Sequence, residues 1–489
     1  MRLSGLASGM DIDSMVKELM QAQRSKIDNI VKQRTRIEWQ RDDYRTMASK
    51  IVDFRNNKLA NYNLSSAINA KTSTVSGDMN ALTVNSTSGT AAGSLDVKVT
   101  QVASSELKLY TYSATDKTKT LEGLGFTIDS ANANNVAVKI NGATLSLSKD
   151  GTLADLAATI NTNSSKVKAS ALYDEASGKF SLTATQTGTD KLIVEGFAGT
   201  LDTTNSVAGK NAQATINGIS YNQASNIFSV NGFNFTVKAV SATSTTITAT
   251  QDTNKIIETV KSFVNDYNSL ISDINGELSE TRSYSYNPLT SEEKKGMTED
   301  EIKLWEGRAR NGTLRNDDSL STMISELRTA ATSLVAGIKD AQGNSIQIGI
   351  TTGSYTEKGR LVLDEDKLRK ALESNPDEVI NLFSAKSSDT SPASTTSGVF
   401  AKMMDSSMDA LNSMQKKAGT SLTSTSLNAS FLESSLLSDQ IRSMKQRETR
   451  EESRLVSLEN RYYKMFAAME TAINKYNSQA GSLSSFFSG

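Results

Sequence analysis

VKELMQAQRSKIDNIVKQRTRIEWQRDDYRTMASKIVDF, residues 16–54, carries a seam at Val16, Leu19, Gln23, Lys26, Ile30, Gln33, Ile37, Gln40, Tyr44, Met47, Ile51 and Phe54. Its steps alternate three and four, which keeps side chains on one stripe of a slightly under-wound helix. A second seam lies near the other end: Leu437, Ile441, Met444, Glu448, Glu451, Leu455, Leu458, Tyr462, Met465, Met469, Ala472 and Tyr476. Such a stripe is buried against another helix, and the simplest partners are each other or the same segments of neighbouring copies. A chain whose ends pair as coiled coil around a globular insert is built for assembly more than for catalysis.

Both seams have polar centres, Gln23, Lys26, Gln33 and Gln40 in the first and Glu448 and Glu451 in the second. They read either as a partly exposed flank or as positions that weaken isolated pairing and specify register in an assembly. The apolar and aromatic members are the candidate assembly residues: Val16, Leu19, Ile30, Ile37, Tyr44, Leu437, Ile441, Met444, Leu455, Leu458, Tyr462, Met465 and Met469.

Composition narrows the function. In 489 residues, 53 basic and 54 acidic side chains leave a net charge of −1, which argues against nucleic acid as the main partner. The basic run Arg24, Lys26, Lys32, Arg34, Arg36, Arg41 and Arg45 is interleaved with Asp28, Glu38, Asp42 and Asp43, as on a solvated coiled-coil flank. There is no cysteine and no histidine, so thiolate chemistry, disulfides and the commonest general base are absent. The three prolines are Pro288, Pro376 and Pro392, so few slow isomerisations slow refolding. Such a chain suits export in an unfolded state. No run approaches the roughly 20 apolar residues of a membrane helix. The opening residues lack the apolar core of a secretory signal, so an exported chain would use another route.

The expected fold class is α+β and multidomain: terminal coiled-coil helices, a mixed helical domain, and two β-rich domains inserted mid-chain. The expected divisions are 1–42 and 433–489 as a coiled-coil leg, 43–70 and 253–432 as a helical stem, 71–105 with 203–252 as one β-rich domain, and 106–202 as an inner one. Asp11 or Asp13 caps a first helical segment over about 11–68. Alternating Leu95, Val97 and Val99 mark a half-buried strand, and Asn141-Gly142 between alternating runs marks a hairpin, repeated at Asn217-Gly218 and Asn231-Gly232. Thr152 with Asp155 opens one short helix with Leu153, Leu156 and Ile160 on its apolar face, and strands follow around 167–172, 180–185 and 192–194. A helical face runs from Ile256 to Ile274, Thr298–Glu301 opens a short helix through Trp305, and another helix spans about 319–335. Pro376 suits a helix N1 position, and Gly481–Gly489 reads as a fraying tail.

No catalytic constellation is present. Glu292-Glu293 and Glu299-Asp300-Glu301 sit beside lysines in a solvated stretch, and Asp364-Glu365-Asp366 lacks the spaced ligands of a calcium loop and reads as a helix cap. Trp39 and Trp305 read as packing residues or interface anchors. The chain is expected to be no enzyme and to carry no metal or cofactor.

Several separated stretches resemble the flagellar filament cap, or hook-associated protein 2, family. They are the opening Ser4-Gly5-Leu6-Ala7-Ser8-Gly9-Met10-Asp11-Ile12-Asp13, Asn287-Pro288-Leu289-Thr290 to Trp305, Gly312-Thr313-Leu314-Arg315-Asn316-Asp317, and Arg461-Tyr462-Tyr463-Lys464 to Gln479. Ile140-Asn141-Gly142 with Ile160-Asn161 is similar to the β insert of flagellins and other hook-associated proteins. The resemblance implies export by the flagellar type III apparatus to the distal tip of the bacterial flagellum. It also implies a homo-oligomer, typically a pentamer, that retains flagellin and promotes its polymerisation. The implied partners are itself, flagellin, hook–filament junction proteins and an export chaperone, with no nucleic acid and no membrane insertion. Competing readings are a hook–filament junction subunit and a secreted coiled-coil adhesin for cell adhesion.

Overall fold

Asp11 caps the first helix, α1 (Ile12–Val52), its carboxylate accepting the Ser14 N–H at 3.0 Å. In the computed structural model the described residues are 11–487, except Ser88, Ala91, Ala92, Ala114, Asp340 and Ala341. The opening motif over Ser4–Met10 lies outside them. The chain divides into two units, Met1–Ile68 with Asn254–Gly489, and Asn69–Thr253.

The first unit is helical. After α1 the chain winds more widely as a π-helix, Asp53–Leu59, and short turns carry it to Ile68. The expected helical segment over about 11–68 is thus present, with wider winding over Asp53–Leu59 and a break only at Asn63–Leu64 near its end. It resumes with α2 (Thr253–Ser279), α3 (Glu299–Arg310), α4 (Asp318–Ala336), α5 (Glu365–Ser374), α6 (Pro376–Ser384), α7 (Val399–Ala418) and α8 (Leu436–Phe487). Side-chain caps start many of these: Thr298 with Glu301, Asp317 and Asp364 each bond a free N–H of the first turn. Pro376 takes the N1 position, where its missing donor costs nothing. The core gathers the buried face of α2 around Phe263, which meets Phe400 edge-on at 5.1 Å and Phe383 at 6.2 Å. Two short hairpins, Ile338–Lys339 with Ser345–Ile346 and Ile350–Thr352 with Leu361–Leu363, complete it.

The second unit is β-rich. One five-stranded antiparallel sheet runs in the order Lys71–Ser76, Thr245–Gln251, Gly93–Gln101, Ala212–Ile216, Ile219–Gln223. A three-stranded sheet, Ile227–Val230, Phe233–Val237, Leu82–Ser86, shares its core through Val97, Ile216, Phe235 and Ile247. The strands between Ser105 and Leu201 form two further sheets with the helix Leu153–Thr162, around a separate core that includes Val138, Ile140, Leu156, Ile160, Phe180 and Leu182. The three Asn-Gly turns adopt the paired positive φ that this dipeptide tolerates, 51° and 79° at Asn141-Gly142, 46° and 80° at Asn217-Gly218, and 50° and 83° at Asn231-Gly232. Two strand expectations shift. Val167 ends a short helix, Ser164–Val167, so the strand begins at Ala169, and Leu192 is a buried loop residue ahead of the two-residue strand Val194–Glu195.

Candidate assembly site in the paired terminal helices

Helices α1 and α8 pair antiparallel. Arg34 meets Glu448 at 3.0 Å, and further out Tyr463 donates to Asp13 at 3.0 Å, so numbers rise on one helix as they fall on the other. Ile12, Val16, Met20 and Phe466 are buried together, with Leu455, Leu458, Tyr462 and Tyr463 against them. Leu437, Ile441, Ile30 and Tyr44 are buried, while Met444 and Ile37 are half-buried.

The packed stripe departs from the heptad seam towards the outer end. Met20 replaces Leu19, which is 41% exposed, and Phe466 replaces Met465, which is 54% exposed. Consecutive steps of four, Ile12–Val16–Met20 and Leu458–Tyr462–Phe466, carry the contact face forward by about 40° per step, opposite in sense to the ~20° by which a strict heptad lags in each repeat, and this moves the packed stripe off the seam. The seam positions left over do not scatter. Met465, Met469, Ala472 and Tyr476 form an exposed stripe of their own on α8, and Leu483, one heptad beyond Tyr476, extends it. Helix α8 continues unbroken through Gly481 to Phe487, so the described part of the expected fraying tail is helical. From Phe466 to Phe487 it extends about 30 Å at 1.5 Å per residue. Among the described residues no partner covers Tyr476 (69% exposed) or Leu483 (59%).

The polar seam positions have mixed placements. Gln40 donates to the Thr313 carbonyl at 3.0 Å, and Glu448 takes the ion pair with Arg34. Lys26, Gln33 and Glu451 line an open hollow of about 380 Å³ between the helices, with Arg447 and Arg450. Arg41 and Arg45 stack on Phe431 at 4.2 and 3.7 Å, in the segment that leads into α8.

The inner end of α1 is fixed by a polar knot that pattern reading did not find. Asp43 accepts from Arg310 Nε at 2.9 Å and from the Thr313 hydroxyl, and Tyr44 donates to Asp317, which also pairs with Lys417 at 2.9 Å. Burial, and then this acceptor, pushes the Tyr44 phenol far above its ordinary range. Burial also raises the Glu277 carboxyl, helped by nearby Asp43 and Glu280. The Gly312–Asp317 segment therefore docks on α1. Nearby, Trp305 donates its indole N–H to Asn287 at 2.8 Å and meets Tyr286 edge-on at 4.7 Å, bracing the loop that starts Asn287-Pro288. Among the described residues no group of three or more His, Cys, Asp or Glu side chains is placed to hold a metal.

The fold thus defines an α+β chain whose two ends pair as helices within one unit, with a β-rich unit inserted between them in sequence. The profile of the flagellar hook-associated protein 2 N-terminus matches residues 8–106, and that of its C-terminus matches residues 209–478. Flagellar hook-associated protein 2 of Halalkalibacterium halodurans is 30% identical over 549 aligned positions, covering all of both chains. The chain belongs to the flagellar hook-associated protein 2 family. The crystal structure of the flagellar cap protein FliD D1-D2-D3 domains from Escherichia coli has the same fold, with TM-score 0.53 and 20% identity over 82% of this chain and 99% of that one. FliD (HAP2) from Pseudomonas aeruginosa PAO1 matches at TM-score 0.31 and 21% identity over 42% of this chain and 99% of that one.

Proposed function

We propose that this chain caps the distal end of the flagellar filament, as a homo-oligomer that retains exported flagellin and promotes its insertion. Its work is structural and uses no cofactor. The observation that carries the reading is the exposed stripe Met465–Leu483, an apolar face on the same helix as the α1–α8 interface, beyond its outer end and unpaired among the described residues. A heptad stripe of this kind seeks another helix, and in the cap that helix belongs to the filament end. The family supports export and a place at the filament tip, and the cysteine-free, proline-poor composition supports passage in an unfolded state. A pentamer, contact with junction proteins and an export chaperone complete the reading. No described helix is long and apolar enough to cross a membrane.

The test is complementation of a strain lacking its own cap protein. The full chain is expected to restore filaments and suppress flagellin in the medium, while a chain lacking Leu436–Gly489 stays soluble but leaks flagellin. Normal filaments from the truncated chain would overturn the reading. Negative-stain imaging of the purified protein separates a cap, seen as a closed plate with legs, from a junction subunit.

A further inference from the structure

The helical unit carries two oppositely charged hollows on the two flanks of α4. On one flank, adjoining hollows of about 590 and 730 Å³ share Asn275, Thr356 and Lys358. Arg315, Arg328 and Lys358 line the second of these, and all three are exposed. They make no ion pair among the described residues, whereas neighbouring Arg360 is engaged by Glu357 at 3.3 Å. The site is built to hold its charge in place. Lys358 and Gly359 both have positive φ, 51° and 99°, which folds their turn onto the stem of Arg328. A Cβ at Gly359 would lie 2.8 Å from Arg328 Cδ.

On the other flank, a hollow of about 240 Å³ between α4 and α7 is lined by Asp318, Glu326 and Asp409. Its one lysine, Lys417, is already committed to Asp317 at 2.9 Å. Asp405 lies one turn before Asp409. Burial raises the Glu326 carboxyl, Ser406 partly offsets this, and Asp409 and Asp405 raise it further, as in a cluster short of a cation. Glu326 and Arg328 are about 200° apart round α4, on either side of its buried stripe Leu320, Met323, Leu327 and Leu334.

We propose that the basic hollow of Arg315, Arg328 and Lys358 receives the acidic flank of Asp318, Glu326, Asp405 and Asp409 from a second copy of this chain. Two different patches on opposite flanks of one unit make a heterologous, head-to-tail contact, and such contacts close into rings when the rotation between copies allows. The occupant is a second copy because the complementary charge is present on the same molecule. The hollows are polar, so the contact is weak and salt-sensitive and steers orientation more than it supplies affinity. The inference rests on the cap reading and names a contact through which the oligomer closes.

The test uses the full chain and surface charge reversals. Arg315→Glu with Lys358→Glu makes both flanks acidic, and Asp405→Lys with Asp409→Lys makes both basic. All four residues are exposed, and a cooperative melt confirms folding. In sedimentation velocity at about 0.05 M sodium chloride each double variant is expected to self-associate about tenfold more weakly than the unmodified chain. An equimolar mixture of the two is expected to associate again, and about 0.5 M salt is expected to weaken both the unmodified chain and the mixture. Self-association unchanged in both variants, a mixture that stays dissociated, or an unmodified chain that never associates would each overturn the proposal. Complementation separates this from the cap reading. Flagellin leakage with the unmodified chain removes that reading, whereas leakage suppressed equally by the unmodified chain and both variants removes only this contact.

Discussion

Replacing Phe466 by alanine tests the register of the paired helices directly. Phe466 is 6% exposed and packs on Ile12, Val16 and Met20, while its neighbour Met465 is 54% exposed and about 100° away round the helix. Truncating a buried phenylalanine costs about 3–5 kcal/mol in a closed core. The pair is open to water on its outer side, so the lower end, about 3 kcal/mol, applies. The loss is local, because the contact ties the outer half of α1 to α8 and, among the described residues, its cluster draws on no other element. At 1.4 kcal/mol per tenfold, amide exchange over residues 12–22 is expected to speed by roughly 150-fold in Phe466→Ala. Met465→Ala removes an exposed side chain and is expected to change it by no more than about twofold. The assay is hydrogen exchange with mass spectrometry on the unassembled protein, where the β-rich unit serves as an internal control. A larger effect from Met465→Ala than from Phe466→Ala would show that the strict heptad sets the contact and would refute the register described here.

Asp43→Ala leaves Arg310 and Thr313 without their acceptor and is expected to lower the stability of the helical unit by about 2–3 kcal/mol, read by calorimetry as a drop in its transition with that of the β-rich unit unmoved. Gly218→Ala meets open space and carries only the positive-φ cost of about 1 kcal/mol, whereas Gly232→Ala also places its Cβ 2.9 Å from the Thr90 backbone nitrogen and is expected to cost more, which denaturant unfolding of the pair ranks. Glu326 has a carboxyl raised by burial, so its contribution is fully present below the unfolded carboxylate pKa and is lost as pH rises through the folded one. Glu326→Gln is therefore expected to melt higher than the unmodified chain at pH 7, with the gap closing by pH 4; a gap that widens on acidification would contradict the sign.

Local signals were legible where they rested on one or two residues. The Asn-Gly turns, the Thr152–Asp155 and Thr298–Glu301 capping boxes, and Pro376 at N1 all form as their chemistry dictates. The seams were legible as stripes but not in register. Leu19 and Met20, or Met465 and Phe466, are adjacent apolar pairs, and only the partner helix decides which member turns inward. The polar knot left no periodic trace, because Asp43 and Arg310 lie far apart in sequence and charged residues on a helix read as solvated. The only local pointer to it was the Gly312–Asp317 stretch, where Asn316 takes a positive φ of 55° before Asp317 caps α4. The wider winding at Asp53–Leu59 is likewise invisible, since no glycine or proline marks it.

The division of the chain also imposes an order in time. The β-rich unit is one continuous stretch, Asn69–Thr253, with pairing between near neighbours such as 132–140 with 143–148, although its outermost pair joins 71–76 to 246–251. The helical unit needs both ends of the chain, since α1 is seated by residues 310–317 and by α8. For a polypeptide emerging amino-terminus first, the middle completes its fold while α1 still waits, and the clasp shuts only when the last helix has arrived. Until then the leading helix remains a loose end with unspent apolar surface. Closure of the paired terminal helices thus marks the arrival of the whole chain, and a chain halted part-way would display its β-rich unit with α1 still unclasped.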